Sequence, residues 1–313
     1  MPERTRIILD TDIGDDIDDA YALALILASP ELELKGVTTV FRNTVARARL
    51  AQTILVLGGR ADIPVAAGCA APLSPRLDLV PPDLPHGRVS LRRRAKELLE
   101  GTPPKQSVAS LPESDLPPLD RRSAVNFLAG ALMEGDGKTV VVTIGAMTNL
   151  AVALTVEPRL TERIPHIVAM AGVFGGQGPE WNIRCDPVAA AIVFESGIPM
   201  TVVGLDVTMK CRLTDEQVAA LGRGGTPMLR ALEKAREASG YRQPVLHDPL
   251  AVMTMFCPEL VRSRKGRVTV ELGGEATYGM TRFVPDDSGP HDVCVEVDAA
   301  AAVNVWMERV LAL

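Results

Sequence analysis

The sequence predicts a single α/β domain, built on an open, mostly parallel, doubly wound sheet flanked by helices. Short β-branched runs alternate with helical patterns along most of the chain, the strand–helix–strand rhythm of such folds. Several of those runs are apolar nearly throughout, as strands buried on both faces must be. Arg6–Leu9 is the first strand and Asp19–Ala28 the helix that follows it. Gly36–Val40 precedes a helix over Thr44–Leu57, and Ile63–Ala67 is a third strand. A helix over Arg121–Met133 leads into strand Thr139–Ile144, then helix Asn149–Leu154, strand His166–Ala171, helix Pro187–Ser196 and strand Met200–Leu205. Late strands are expected at Arg267–Leu272 and Val293–Val297, closed by a helix over Ala299–Leu311.

Residues 68–120 interrupt this rhythm with a proline-rich insertion around one short basic helix, about Val89 to Glu100, that Gly101 closes. Insertions of this length usually carry a lid, a functional loop or an oligomer contact. No linker divides the chain, so residues 1–313 read as one domain.

The 313 residues carry a net charge of −6, which offers no basic face for nucleic acid. Aromatics at 4% are too few for a base-stacking platform. Apolar residues at 47% supply a core and exclude a disordered chain. The longest uncharged run, Thr139–Val156, is broken by Gly145 and Asn149 and does not read as a membrane span. The N-terminal residues offer no apolar stretch for a signal peptide. Five scattered cysteines without a CxxC pair point to a reducing, cytoplasmic setting.

The most informative segment runs from Asp10 to Ala20. Six of the ten residues from Asp10 to Asp19 are aspartates, placed between a predicted strand and a predicted helix. The carboxyl ends of the strands in a doubly wound sheet form the ligand crevice. Like charges this dense repel one another, and the half-charge of a helix N-terminus is too small to balance them. A hard divalent cation, calcium or magnesium, is the natural remedy. The spacing is not that of an EF-hand loop, because Gly14 falls at the fifth position and no closing glutamate follows. The bland alternative is a solvated acidic loop with Asp18 as helix cap.

The block Asp10-Thr-Asp12-Ile-Gly14-Asp15-Asp16-Ile-Asp18-Asp19-Ala20 resembles the DxDPGxDDAxA signature of the inosine–uridine-preferring nucleoside hydrolases. Val37–Val40 followed by Asn43 is similar to that family's second strand and its asparagine. Thr143–Ala151 resembles its TGPLTNIA turn. Met170–Gly176, Glu180-Trp181-Asn182 and Asp186–Ala190 resemble its GGxFxxGG, EFN and DPxAA blocks, and Gly204–Thr208 and His247–Val252 complete the set. Two residues are inserted between Gly14 and the Asp18–Asp19 pair, and Ile13 replaces the usual proline. The aspartate–glycine motif that commonly follows the family's histidine–glycine pair is missing after His86–Gly87.

The resemblance implies hydrolysis of the N-glycosidic bond of ribonucleosides by a calcium-bound water that Asp12 activates as general base. Carried over residue by residue, the calcium ligands are Asp12, Asp19, the main-chain carbonyl of Ile144, and Asp248. Asp18, Asn43, Glu180 and Asn182 bind ribose hydroxyls, and His247 is the proton donor beside the base. The longer loop leaves open whether Asp16 takes the role of Asp18 or Asp19. The family's habits imply a homo-oligomer, dimer or tetramer. His86 is a further candidate for the site. Tyr241 and Trp181 are candidates for stacking on a base, with Trp181 expected to pack instead.

Structural readings stand beside these. Asp248-Pro249 and Asp186-Pro187 both have the form of a helix start, and for Asp186 the cap is preferred. Asn149 reads as a turn residue, His166 and His291 as structural, with His291 in a late turn. Cys185 reads as an inert neighbour, Arg92–Arg94 as a solvated helix face, and Asp206 is undecided. Two other functions fit parts of the chain. Ile8–Asp12 matches the hhhDxD motif of haloacid-dehalogenase-like phosphatases, with Asp10 as nucleophile and Asp286–Asp287 as the acid pair. A non-catalytic nucleoside or ribose binder on the same scaffold is the other.

Overall fold

The computed structural model describes residues 4–76, 91–176 and 178–313, and no side chains at 91–94. His86 and the side chains of Arg92–Arg94 lie outside the described residues. The strands are β1 (Thr5–Thr11), β2 (Leu32–Thr39), β3 (Val65–Ala67), β4 (Val140–Thr143), β5 (Ile167–Met170), β6 (Met200–Val203), β7 (Val261–Val270), β8 (Thr281–Pro285) and β9 (His291–Val297). They form one nine-stranded sheet in the order β3-β2-β1-β4-β5-β6-β9-β7-β8. Every pair from β3 to β9 is parallel, and β7 runs antiparallel to both β9 and β8.

The helices are α1 (Asp18–Leu27), α2 (Thr44–Leu57), α3 (Leu91–Glu100), α4 (Ala124–Glu134), α5 (Thr148–Val156), α6 (Leu160–Arg163), α7 (Trp181–Cys185), α8 (Pro187–Phe194), α9 (Leu205–Thr208), α10 (Asp215–Gly222), α11 (Pro227–Ser239), α12 (His247–Met253) and α13 (Ala299–Leu311). Side-chain alternation along β1 divides the core between the two faces of the sheet. Ile7 and Leu9 join α1, α2, α12 and α13 in one cluster, and Ile8 joins α4, α5 and α8 in the other.

The order β3-β2-β1-β4-β5-β6 reverses direction between β1 and β4, the switch point where open α/β sheets bind ligands. The insertion returns to that point. A 3₁₀ turn at Lys105–Ala109 packs beside the aspartate loop, where the Gln106 N–H donates to the Gly14 carbonyl at 3.0 Å.

Three sequence expectations need correction here. β7 begins at Val261 rather than Arg267, because the segment Arg262–Lys265 pairs with β9 while its side chains stay in solvent. The strand β8 and the helices α10 and α11 were not anticipated. His291 starts β9 and is buried, not in a turn. Its Nδ1 accepts from the Val268 N–H at 2.8 Å and its Nε2 lies 3.1 Å from the Phe194 carbonyl.

Candidate active site

Strand ends at the switch point converge on one cavity of about 490 Å³, within the ~300–1,000 Å³ of typical small-molecule sites. Asp12 follows β1, Ile144 follows β4, Met170 ends β5 and Leu205 opens α9 after β6. Their parallel registers bring these positions to one edge. Gly145 permits the closest approach, since a Cβ there would lie 2.8 Å from the Asp12 nitrogen.

Asp18, Asp19 and Asp248 are buried, and each offers an oxygen within 4.8 Å of the other two. They come from two distant segments, the first turns of α1 and α12. Neither Asp18 nor Asp248 is a helix cap. The cap positions are Ile17 and Leu246, and neither makes a side-chain cap bond, so both aspartates stand inside the first turn. Burial, followed by the neighbouring aspartates, pushes all three carboxyls well above their ordinary value. Helix N-termini favour negative charge there, but by too little to balance three carboxylates. The Thr11 hydroxyl donates to Asp19 Oδ1. Three buried hard oxygen donors at this spacing suit a divalent cation. Asp12 shares the cavity without belonging to that tight group, and burial, opposed by Arg47, lifts its carboxyl to about 6. Asp16 also lines the cavity, while its Oδ1 accepts the Ile17 N–H at 2.6 Å.

Glu180 and Asn182 also line the cavity. Glu180 caps α7, its oxygens accepting the N–H groups of Asn182, Ile183 and Gly172, and burial raises its carboxyl to about 7. The Asn182 amide donates to the Ile144 carbonyl at 2.9 Å and to the Met170 carbonyl at 3.1 Å. Ile144 therefore keeps one carbonyl lone pair for another partner. His247 lines the cavity, and its Nδ1 lies 2.7 Å from the Thr208 hydroxyl. Burial, then Arg212, lowers its ring to about 4. Trp181 and Tyr241 also line the cavity and are 42% and 49% exposed, so Trp181 does not pack away as expected.

The structure does not bring Asn43 to the cavity lining. It caps α2, its Oδ1 accepting the Ala46 N–H at 2.9 Å and its amide donating to the Gly101 carbonyl. Asp186 is a cap, as preferred, and it also holds Thr148 and the main chain at Leu73 and Ser74. Asn149 is more than a turn residue. Buried, it donates to Asp10 and the Thr39 carbonyl and accepts from Cys69. Asp206 accepts the Phe174 and Gly175 N–H groups, both at 2.7 Å. Asp10 is fully buried between Thr38 and Asn149 and does not line the cavity, and Asp286 is half-buried and paired with Arg267. These positions do not suit the phosphatase scheme.

Sequence reasoning missed Asp15, Arg42, Arg47 and Lys105. Asp15, Arg42 and Lys105 line the cavity, and Arg47 is buried behind the aspartate loop. One signal was available. Six clustered aspartates need counter-charge, and Arg47 lies four residues past the asparagine that the motif singles out.

A doubly wound sheet carrying a carboxylate cluster, a glutamate and a histidine at its switch point defines an α/β enzyme with a candidate metal site. The model of the family described as inosine-uridine preferring nucleoside hydrolase matches residues 7–304. The pyrimidine-specific ribonucleoside hydrolase RihA of Citrobacter koseri is 33% identical over 97% of each chain, and that of Escherichia coli O7:K1 is 34% identical over the same shares. A purine-preferring ribonucleoside hydrolase from Gardnerella vaginalis superposes with a TM-score of 0.81 at 28% identity over 98% of both chains. The plant nucleoside hydrolase PpNRh1 gives 0.80 at 29% over 99% of both. The chain belongs to the inosine-uridine preferring nucleoside hydrolase family. It is an enzyme that hydrolyses the N-glycosidic bond of ribonucleosides.

Proposed function

We propose that this enzyme releases the base from pyrimidine ribonucleosides, using calcium held by Asp18, Asp19 and Asp248 with Asp12 and the Ile144 carbonyl. The meeting of three buried aspartates from two distant segments within 4.8 Å carries this reading. When bound, the cation would polarise water and grip neighbouring sugar hydroxyls. Asp12 is the base that takes the proton from the attacking water. Glu180 and Asn182 line the same cavity and bind ribose hydroxyls, with Asp18 as a further hydroxyl partner. Asn43 acts by supporting the start of α2 rather than by touching the sugar. Thr208 engages Nδ1 of His247, which leaves Nε2 for the departing base. Trp181 and Tyr241 flank the base at the mouth.

The pyrimidine preference is supported by the names of the RihA relatives at 33–34% identity. A cytoplasmic setting agrees with five free cysteines, and a role in salvage agrees with the release of a free base. No described helix is long and apolar enough to cross a membrane. A homo-oligomer is the family expectation, which sedimentation of the purified chain checks.

The experiment is a ribose-release assay on uridine, cytidine, inosine and 2′-deoxyuridine, with calcium and after chelation. Uridine and cytidine are expected to react fastest, 2′-deoxyuridine weakly, and all to fail after chelation. Preference for inosine would overturn the base assignment. Equal rates on 2′-deoxyuridine would overturn the diol contact.

A further inference from the structure

We infer that Arg47 is a positioning residue that locks the aspartate loop in the geometry the reaction needs, with Asp15 as its partner. Its side chain is 1% exposed. Its Nε donates to the Phe41 carbonyl at 2.8 Å, and its Nη1 to the carbonyls of Asp12 and Ile13, the latter at 2.9 Å. Its Nη2 donates to Asp15 Oδ2 at 2.7 Å, an oxygen shared with Arg42 at 3.3 Å. An arginine placed here only for its charge would need the carboxylate alone. This one directs most of its donors at main-chain carbonyls, which fixes backbone position.

The loop is held from a second side. Gln106, fully buried, donates its N–H to the Gly14 carbonyl and its side-chain amide to the Asp16 carbonyl. Between them, Arg47 and Gln106 engage the carbonyls of Asp12, Ile13, Gly14 and Asp16. Gly14 makes the bend, at φ +130° with Pro104 against it, where a Cβ would lie 2.6 Å from that ring. Arg47 also ties down Phe41, which with Arg42 occupies the left-handed region at φ 66° and 60°. Two of these contacts, Arg47 to the Asp15 carboxylate and Gln106 to the Asp16 carbonyl, fall in the stretch by which this loop exceeds the family pattern. The extra length is thereby tied to the rest of the fold at Asp15 and Asp16, with Asp12 in the same cavity as the Asp18–Asp19–Asp248 group.

This inference rests on the proposed metal and base roles, and the test separates the two. Chelator-stripped wild type, Arg47→Lys, Asp15→Asn and the double variant are titrated with calcium by calorimetry. The same proteins are assayed for kcat and KM on uridine and for melting temperature. Lysine keeps the charge but lacks the fork that reaches several carbonyls. Asp15 is 31% exposed, so Asp15→Asn tests the clamp where folding is least at risk. Arg47→Lys is expected to weaken calcium binding and lower kcat by about 10–100-fold, the usual loss when residues supporting metal ligands change. KM is expected to stay within about threefold, because lost positioning acts on the transition state more than on ground-state binding. Asp15→Asn should shift both quantities in the same direction by less, and the double variant should resemble Arg47→Lys alone. A lower melting temperature with calcium affinity and kcat unchanged in both single variants would overturn the inference. Wild type that cleaves uridine without binding calcium would instead overturn the metal reading, and this inference with it.

Discussion

Replacing Asp248 with asparagine should move stability in opposite directions with and without calcium. Its carboxylate lies within 4.8 Å of both Asp18 and Asp19. At an effective dielectric of about 20, two unit charges at 4.8 Å repel by roughly 3 kcal/mol, and Asp248 takes part in two such pairs. The full repulsion is not realised, because burial drives all three carboxyls toward their neutral forms. Net relief on the order of 1 kcal/mol should raise the melting temperature of the stripped protein by about 2 °C. Calcium at 100 times its Kd should stabilise wild type by about 2.7 kcal/mol through linkage. Asp248→Asn removes a proposed ligand, so this second gain should vanish. Turnover should fall by more than the ~10–100-fold cost of losing a merely supporting residue. Differential scanning fluorimetry after chelation and at saturating calcium, paired with ribose release from uridine, reads all three effects. A variant that still melts higher with calcium and still turns over would refute the assignment of Asp248 as a ligand.

Asp12→Ala should lower kcat on uridine by about 10²–10⁴-fold, the usual contribution of a general base; steady-state kinetics that show only a raised KM would remove it from that role. Trp181→Ala should fold normally, given 42% exposure, and should weaken pyrimidine nucleoside binding by about 2–12-fold, equivalent to the ~0.5–1.5 kcal/mol of an aromatic pair. Unchanged binding would remove Trp181 from contact with the base. His291 supplies a pH test remote from the site. Burial, reinforced by Arg267 and opposed by Asp292 and the Phe194 bond, lowers its pKa below 6.5. A neutral ring is needed, because Nδ1 accepts from Val268. Its stabilising contribution is therefore complete above the unfolded value of about 6.5 and is lost as pH falls through the lower folded value. At saturating calcium, the melting-temperature gap between wild type and His291→Gln should narrow from pH 8 to pH 5; a constant gap would contradict the neutral-ring assignment.

How much of this the residues announce depends on where each strand lies. The central strands read clearly because burial on both faces leaves continuous apolar runs such as Val140–Val142. Helix α2 matches its expected range of Thr44–Leu57, and α13 its range of Ala299–Leu311. At the β7–β8 edge one face is solvated, and the charged run Arg262–Lys265 hides a strand whose partner is far away in sequence. Helix α11 carries its signals openly, Thr226 as cap, Pro227 at the first position and Gly240 at φ 83° as the stop, yet its mixed polarity obscured them. In the site, local motifs placed Asp18, Asp19 and Asp248 in one cavity. Arg47 escaped notice because an arginine on a helix ordinarily reads as solvent-facing, and only the fold turns this one inward. Asn43 shows the reverse. Its position in a motif suggested contact with sugar, while its side chain is engaged in capping α2 and holding Gly101.

Ribonucleoside cleavage is proposed to depend on one divalent ion held by Asp18, Asp19 and Asp248. Titrating stripped enzyme with calcium, and following ion uptake by calorimetry and uridine hydrolysis on the same samples, tests it most directly. One ion per chain is expected, with turnover that rises in proportion to occupancy. Full turnover at zero occupancy, or saturated binding without turnover, would contradict it.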